Sequence, residues 1–270
     1  MPPTIFITGT SSGIGQATVQ YFAEQGWNVA ATMRSPQKES AFAPQANLRM
    51  YPLDVTDSTS ITEAVSNAIR DFDHIDVLVN NAGFSLFGAF EYATEDEIQL
   101  QLNTNLLGVM NVTRAILPHF RHRQEGCIIT VTSVGGLAAF PLFSLYHASK
   151  WAVEGFMESL HYEVRQFNIK VKLIEPGAVN TNFSNNTFVL KSNSLTDYDS
   201  YLEKVKQNLL HVNPNSYDPP LAVARTIMQA ATDHSSRLRY PVGNANLILL
   251  LRRWLPFSWF QRMIRSSNER

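Results

Sequence analysis

Short apolar runs alternate along this chain with longer amphipathic stretches. Residues 4–8, 27–32, 48–53, 75–79, 127–132 and 169–174 are apolar and rich in β-branched side chains, with a shorter run at 238–240. Runs of that length, bounded by turn residues, predict buried strands. Between them, apolar positions recur at helical spacing: Ala17, Val19, Tyr21 and Phe22 up to Gly26, then 58–72, about 94–121, 146 to about 167, and 220 to about 232. Ser58 or Thr59 is the expected cap of the second helix. Strands alternating with helices predict an α/β fold, a doubly wound parallel sheet of the Rossmann-like kind. No repeat or linker divides residues 1–270, so a single domain is expected. Residues 182–215 break the pattern with Asn, Ser and Thr, and read as a substrate-loop insertion acting as a lid.

Several strand ends carry residues suited to chemistry. After the first strand comes Gly9-Thr-Ser11-Ser12-Gly13-Ile14-Gly15, opening a helix. Strand, glycine turn and helix form a dinucleotide site when backbone approaches a pyrophosphate and free N–H groups bind the anion. The spacing is Gly-x-x-x-Gly-x-Gly, not the general Gly-x-Gly-x-x-Gly, so a plain turn before a helix is the competing reading. The second strand ends at Met33-Arg34 with no carboxylate nearby, which favours NADP over NAD, NADPH over NADH. Asp54-Val55 closes the third strand, within reach of an adenine, and Asn81-Ala82-Gly83 follows the fourth.

Tyr146 and Lys150 stand at i and i+4, one helical face, about 6 Å apart along the axis. An ammonium near a phenol favours the phenolate and moves it towards acid/base work. Ser133 sits at the carboxyl end of the 127–132 strand, where a hydroxyl can hold a carbonyl oxygen. Asn103, Asn105 and Asn111 lie inside the long 94–121 helix, a disfavoured placement that asks for a reason. His147 is about 100° round the helix from Tyr146 and should point away.

Taken in order, the glycine turn, Asn80-Asn81-Ala82-Gly83, Asn105, Ser133, Tyr146-x-x-x-Lys150 and Pro176-Gly177 resemble the short-chain dehydrogenase/reductase family, in its single-domain class, across about residues 5–181. The Ala31–Arg34 strand end and the Phe87–Glu91 segment are similar to its hydroxysteroid and retinol dehydrogenase branch. The resemblance implies an oxidoreductase exchanging hydride between NADP(H) and a carbonyl or alcohol. It makes Tyr146 the general acid/base and has Lys150 lower its pKa and hold the nicotinamide ribose. Ser133 would position the substrate oxygen, and Asn105 a water relaying protons. Gly9, Ser11, Ser12, Gly13, Ile14 and Gly15 would shape the pyrophosphate turn, with Asp54 and Val55 at the adenine and Asn81, Ala82 and Gly83 on the ribose side. Pro176, Gly177, Val179 and Thr181 would border the nicotinamide. The family's paired helices imply a homodimer or homotetramer.

Composition narrows the partners. Phe and Leu at 84–90 and 137–143 suit a small lipophilic carbonyl compound or alcohol. A formal net charge of −1 argues against nucleic acid. The single Cys127 excludes an internal disulfide and reads as a small buried hydrophobe. No Cys/His cluster has zinc spacing, so no metal is expected, and His119 and His122 read as a solvated helix end. With no room for a signal peptide before residue 4 and no membrane-length apolar run, a cytoplasmic protein is expected. The tail, 244–270, mixes apolar and cationic residues. It reads first as a cover for the pocket or a subunit contact, with a membrane interface as the alternative. Two other functions stay open: a non-catalytic NADP(H)-binding regulator, and a peripheral membrane protein acting through its tail.

Overall fold

The computed structural model describes residues 1–38, 42–43, 45–181, 187–192, 195–210 and 217–268. The chain runs β1 (Thr4–Thr8), α1 (Gly13–Glu24), β2 (Asn28–Met33), β3 (Leu48–Pro52), α2 (Ser58–Phe72), β4 (Val77–Asn80) and β5 (Ser85–Phe87). There follow α3 (Glu95–Leu102), α4 (Gly108–Arg123), β6 (Gly126–Val131), α5 (Ser144–Val164), β7 (Ile169–Pro176) and β8 (Thr187–Val189). The rest is α6 (Asp199–Leu210), α7 (Pro220–Thr232), β9 (Arg239–Val242), α8 (Ala245–Trp254) and α9 (Phe257–Asn268).

Seven strands form one parallel sheet in the order β3-β2-β1-β4-β6-β7-β9. The order reverses direction between β1 and β4, the switch point at which such sheets bind ligands. Alternation along each strand builds two cores. Phe6, Ala30, Leu78 and Ile128 pack on α2, α4 and α5, through Ile61, Ile116, Phe120 and Met157. Ile5, Ile7, Val29 and Ile129 pack on the other face against Val19 and Phe22 of α1 and Ile227 of α7. Both faces being covered explains why the strands read as continuous apolar runs.

Local signals account for most helix ends. Asp57, not Ser58 or Thr59, caps α2, accepting from the Thr59 and Ser60 N–H groups. Those two residues supply donors, whereas the carboxylate before them supplies the acceptor. Thr94 and Glu97 form a capping box at α3, and Pro220 takes the first helical position of α7, where its missing N–H costs nothing.

The expected 94–121 helix is interrupted by a π-helical turn, Asn103–Leu107, between α3 and α4. His122 is exposed at the helix end, but His119 is half-buried: its Nε2 accepts from the Ile75 N–H at 3.1 Å, and burial pushes its pKa down. Helical spacing shows only that His119 is off the main apolar stripe, not that a strand end needs an acceptor there. A second, two-stranded parallel sheet pairs β5 with β8. The insertion supplies β8 and α6, while 182–186, 193–194 and 211–216, part of the expected lid, lie outside the described residues. In the tail, α9 packs on α6 and α8.

Candidate active site

The glycine turn leaves β1 with Gly9 at φ +70°, and a Cβ there would stand 2.7 Å from Ala82 Cα. Gly15 is tighter: its Cβ would lie 2.3 Å from the Gly9 carbonyl oxygen and 2.6 Å from Asn81 Nδ2. Asn81 clamps this turn, its amide donating to the Thr8 and Gly9 carbonyls at 2.9 Å each. Thr8 Oγ1 in turn accepts from the Asn81 and Ala82 N–H groups. Ser12 precedes α1 in extended conformation and makes no side-chain cap, so the first N–H groups of the helix are left for another acceptor. An uncapped helix start beside backbone that only glycine permits fits a pyrophosphate. Ile14 packs at the edge of the core, and exposed Ser11 faces water.

Other expected contacts ring this turn. Arg34 is exposed just beyond β2, beside the strand end to which Thr10 bonds. Asp54 accepts from the N–H and hydroxyl of Thr56 at 2.9 and 2.7 Å, so one carboxylate oxygen holds its own turn. Val55 is buried against Gly108. From β7, buried Pro176 leads into Gly177, which is pressed against Asn244, and Val179 bridges to Asp218. The same loop brings Thr181 within 3.4 Å of where a Gly13 Cβ would stand. Residues far apart in sequence thus meet over the carboxyl edge of the sheet.

Ser133 extends from the end of β6, its hydroxyl accepting from the Gly135 N–H at 3.0 Å. Tyr146 lies within hydrogen-bond reach of Ser133. Burial holds its pKa above the ordinary phenol value, and the Ser133 hydroxyl offsets only part of that rise. Lys150 Nζ stands 5.8 Å from the centre of the Tyr146 ring and donates to the Val131 carbonyl at 3.0 Å. Burial pushes Lys150 down to about 8, with Glu154 opposing. The hydrogen bond that favours the phenolate here therefore comes from Ser133, while Lys150 bears on the ring.

Asn105 is buried with its side chain fully engaged. Oδ1 accepts from the Phe84 N–H, and Nδ2 donates to the Phe84 carbonyl and, at 3.3 Å, to Ser149 Oγ. Ser149 Oγ bonds the Tyr146 carbonyl at 2.7 Å, which ties the π turn to the Tyr146 helix. The mid-helix Asn thus has its reason in geometry. A π turn breaks the regular backbone ladder, a distortion frequent at functional sites.

Four contributors escaped the sequence reading. Gln101 clips the Phe84–Leu86 segment, bonding the Leu86 N–H and the Phe84 carbonyl. It lies four residues before Asn105, so two carboxamides on one helical face were the available signal. Thr8 and Ser149 gave none. His147, its ring 6.0 Å from that of Tyr146, turns both nitrogens to backbone and is a brace: Nδ1 lies 2.7 Å from the Gly135 carbonyl, and Nε2 accepts from the Phe140 N–H at 2.8 Å. Those partners require the neutral tautomer protonated on Nδ1, and burial lowers the imidazole pKa accordingly. The loop it braces includes Leu142 at φ +64°, a strained position for a branched residue.

The short chain dehydrogenase family matches residues 3–189. A curated 3-ketodihydrosphingosine reductase of Bacteroides thetaiotaomicron is 37% identical over 268 residues, spanning 98% of this chain and 97% of its own length. Retinol dehydrogenase 8 of Bos taurus is 38% identical over 191 residues, 67% of this chain and 61% of that protein. Among solved structures, ElxO with NADP bound superposes with a TM-score of 0.76 at 27% identity, covering 92% of this chain and 100% of that one.

Proposed function

Since the chain belongs to the short-chain dehydrogenase/reductase family, we propose that it interconverts a lipophilic carbonyl compound and its alcohol, with NADP(H) as cofactor. The observation that carries this reading is the meeting of Ser133, Tyr146 and Lys150 in a sheet whose glycine turn admits no Cβ at Gly9 or Gly15. When bound, the cofactor supplies or accepts the hydride. Gly9, Gly13, Gly15 and the start of α1 would hold its pyrophosphate, Asp54 and Val55 its adenine, and Pro176 to Thr181 its nicotinamide end. Arg34, exposed at the end of β2, would meet a 2′-phosphate.

The protein's own part is geometry and one proton. Ser133 and Tyr146 hold the carbonyl oxygen between two hydroxyls, and Tyr146 Oη gives it a proton during reduction. In the oxidation direction the same oxygen, as phenolate, takes the alcohol proton. Lys150, its Nζ 5.8 Å from the centre of the Tyr146 ring, places a positive charge beside that phenolate. Asn105 fixes the π turn against Ser149 and so fixes the height of Tyr146.

The reading of the substrate as lipophilic rests on apolar side chains near the site. A cavity of about 490 Å³ opens at Ser144, two residues before Tyr146; Ala89, Phe90, Leu142, Tyr198 and Tyr201 line it together with the Glu91 carboxylate, while Ser133, Tyr146 and Lys150 do not. The relative named as a 3-ketodihydrosphingosine reductase and the retinol dehydrogenase support a carbonyl or alcohol of that character. Exposed Tyr162 on α5 and Leu107 before α4 leave these helices a face for pairing with a second copy. Fluorescence titration with NADPH and NADH, then turnover on a panel of ketones graded by chain length, tests the reading. Tighter NADPH binding and faster turnover on apolar ketones are expected. Equal binding of both cofactors by the protein and its Arg34→Leu variant would remove the NADP assignment.

A further inference from the structure

We propose that α8 and α9 dock this chain on an anionic lipid bilayer surface. On α8, Leu247, Leu250 and Trp254 follow one another at i, i+3 and i+7, so they share a face, and they are 59%, 54% and 72% exposed. Phe257 and Trp259, just past the Pro256 turn, continue the patch at 56% and 69%. Single exposed apolar residues are ordinary, but a helix of a water-bathed protein turns its apolar stripe inward. Here Ala245 is the buried residue of α8 and Phe260 that of α9.

Charge identifies the occupant. From 245 to 268 there is no carboxylate and there are four arginines, on a chain whose formal net charge is −1. Arg253 is exposed beside the Trp254 ring at 5.8 Å, while Arg252 stacks on Phe257 and Phe260. Arg262 and Arg265 are exposed one turn apart on α9. Tryptophan rings with arginines beside them match the boundary between acyl chains and headgroups, where rings sit at headgroup level and cations pair with anionic lipid. A second copy fits less well, because a two-fold contact would set exposed Arg253 and Arg262 against their own kind. No helix among the described residues is long and apolar enough to cross a membrane, so the contact is one of lying on the surface.

The patch is adjacent to the catalytic loop. A groove of about 900 Å³ separates α9 from Phe140, Pro141 and Trp151, and α8 packs on the Val134–Gly136 turn that follows Ser133. Docking there would present that side of the protein to membrane-dissolved molecules.

The test is co-sedimentation of the full chain with vesicles of phosphatidylcholine alone and of phosphatidylcholine with phosphatidylglycerol, at low and high salt. Binding to the anionic vesicles that weakens with salt, with a blue shift of tryptophan emission, is expected. Leu250→Ser with Trp254→Ser, and separately Arg253→Glu with Arg262→Glu, should each weaken partitioning about tenfold or more while leaving the thermal midpoint unchanged. Sedimentation velocity without lipid provides the opposing arm. No binding to anionic vesicles, equal binding to both vesicle types, or a dimer that Trp254→Ser converts to monomer would overturn the proposal.

Discussion

Glu175, one residue from the end of β7, offers a test of the buried electrostatics that flank Lys150. Three carboxylates converge on one guanidinium: Arg239 Nε lies 3.2 Å from both Glu154 and Glu175, and its Nη2 lies 2.6 Å from Glu158. The Nε–H donates to Glu154, and Glu175 Oε1 has no hydrogen-bond partner among the described residues despite its proximity. Glu175 is 1% exposed. Burial, and then the neighbouring Glu154 charge, push its pKa up to about 8, against the pull of Arg239. A carboxyl whose folded pKa lies above its unfolded value binds more protons when folded. Stability therefore falls as pH rises from the ordinary carboxylate value to about 8. At ~1.4 kcal/mol per pH unit per proton, the upper limit is about 5 kcal/mol, and 2–5 kcal/mol is a reasonable order of magnitude. Glu175→Gln keeps the shape and removes the titration. Urea unfolding of the two proteins from pH 5 to pH 9 should show the wild type losing stability relative to the variant as pH rises. Parallel curves across that range would mean that Glu175 is ionised when folded, and that the three-carboxylate argument is wrong.

Two further outcomes follow from single contacts. Lys172, 1% exposed, pairs with Asp233, which also accepts from Tyr240 at 2.6 Å and from the Ser235 N–H at 2.9 Å. Burial raises the Asp233 pKa, but the Lys172 and Tyr240 bonds outweigh it and hold the carboxyl well below its usual range. The stabilisation is thus present above the ordinary carboxylate pKa and lost as pH falls below it. Asp233→Asn takes the carboxylate from the Lys172 ammonium at the edge of the core and should cost about 1–3 kcal/mol at neutral pH, read as a lower denaturation midpoint. Gly15→Ala should leave the fold intact but force the turn apart, since its Cβ would meet the Gly9 carbonyl at 2.3 Å. The strain, about 1–3 kcal/mol, should lower the denaturation midpoint of the free protein, and the displaced turn should weaken NADPH about tenfold or more in a fluorescence titration.

Much of the molecule was legible because its signals are local. The strand, glycine turn and helix over residues 4–24 follow from apolar run, Gly9 and helical spacing, and the sheet's two-sided burial makes its strands conspicuous. Tyr146 and Lys150 share one face of α5, and Ser133 stands just past β6, so placing them together needed only two elements. What stayed hidden depends on contacts distant in sequence. The β5–β8 pairing joins residues about a hundred positions apart. The π turn at Asn103–Leu107 answers to Phe84 and Ser149, which periodicity does not reveal. Asn81, expected on the cofactor's ribose side, uses its side-chain amide on the Thr8 and Gly9 carbonyls. The direction of α8 was illegible for a plainer reason: an amphipathic pattern fixes which residues share a face, not whether that face turns inward.

The most direct measurement is turnover and NADPH affinity of Tyr146→Phe side by side with the wild type. Ser133 and Lys150 keep their places in that variant, and only the proton-bearing oxygen is lost. Turnover should fall by about 10²–10⁴-fold, the range for a positioned acid/base, while the NADPH dissociation constant stays within about twofold. Turnover within about tenfold of wild type would show that Tyr146 does not carry the proton, and the catalytic assignment would fail.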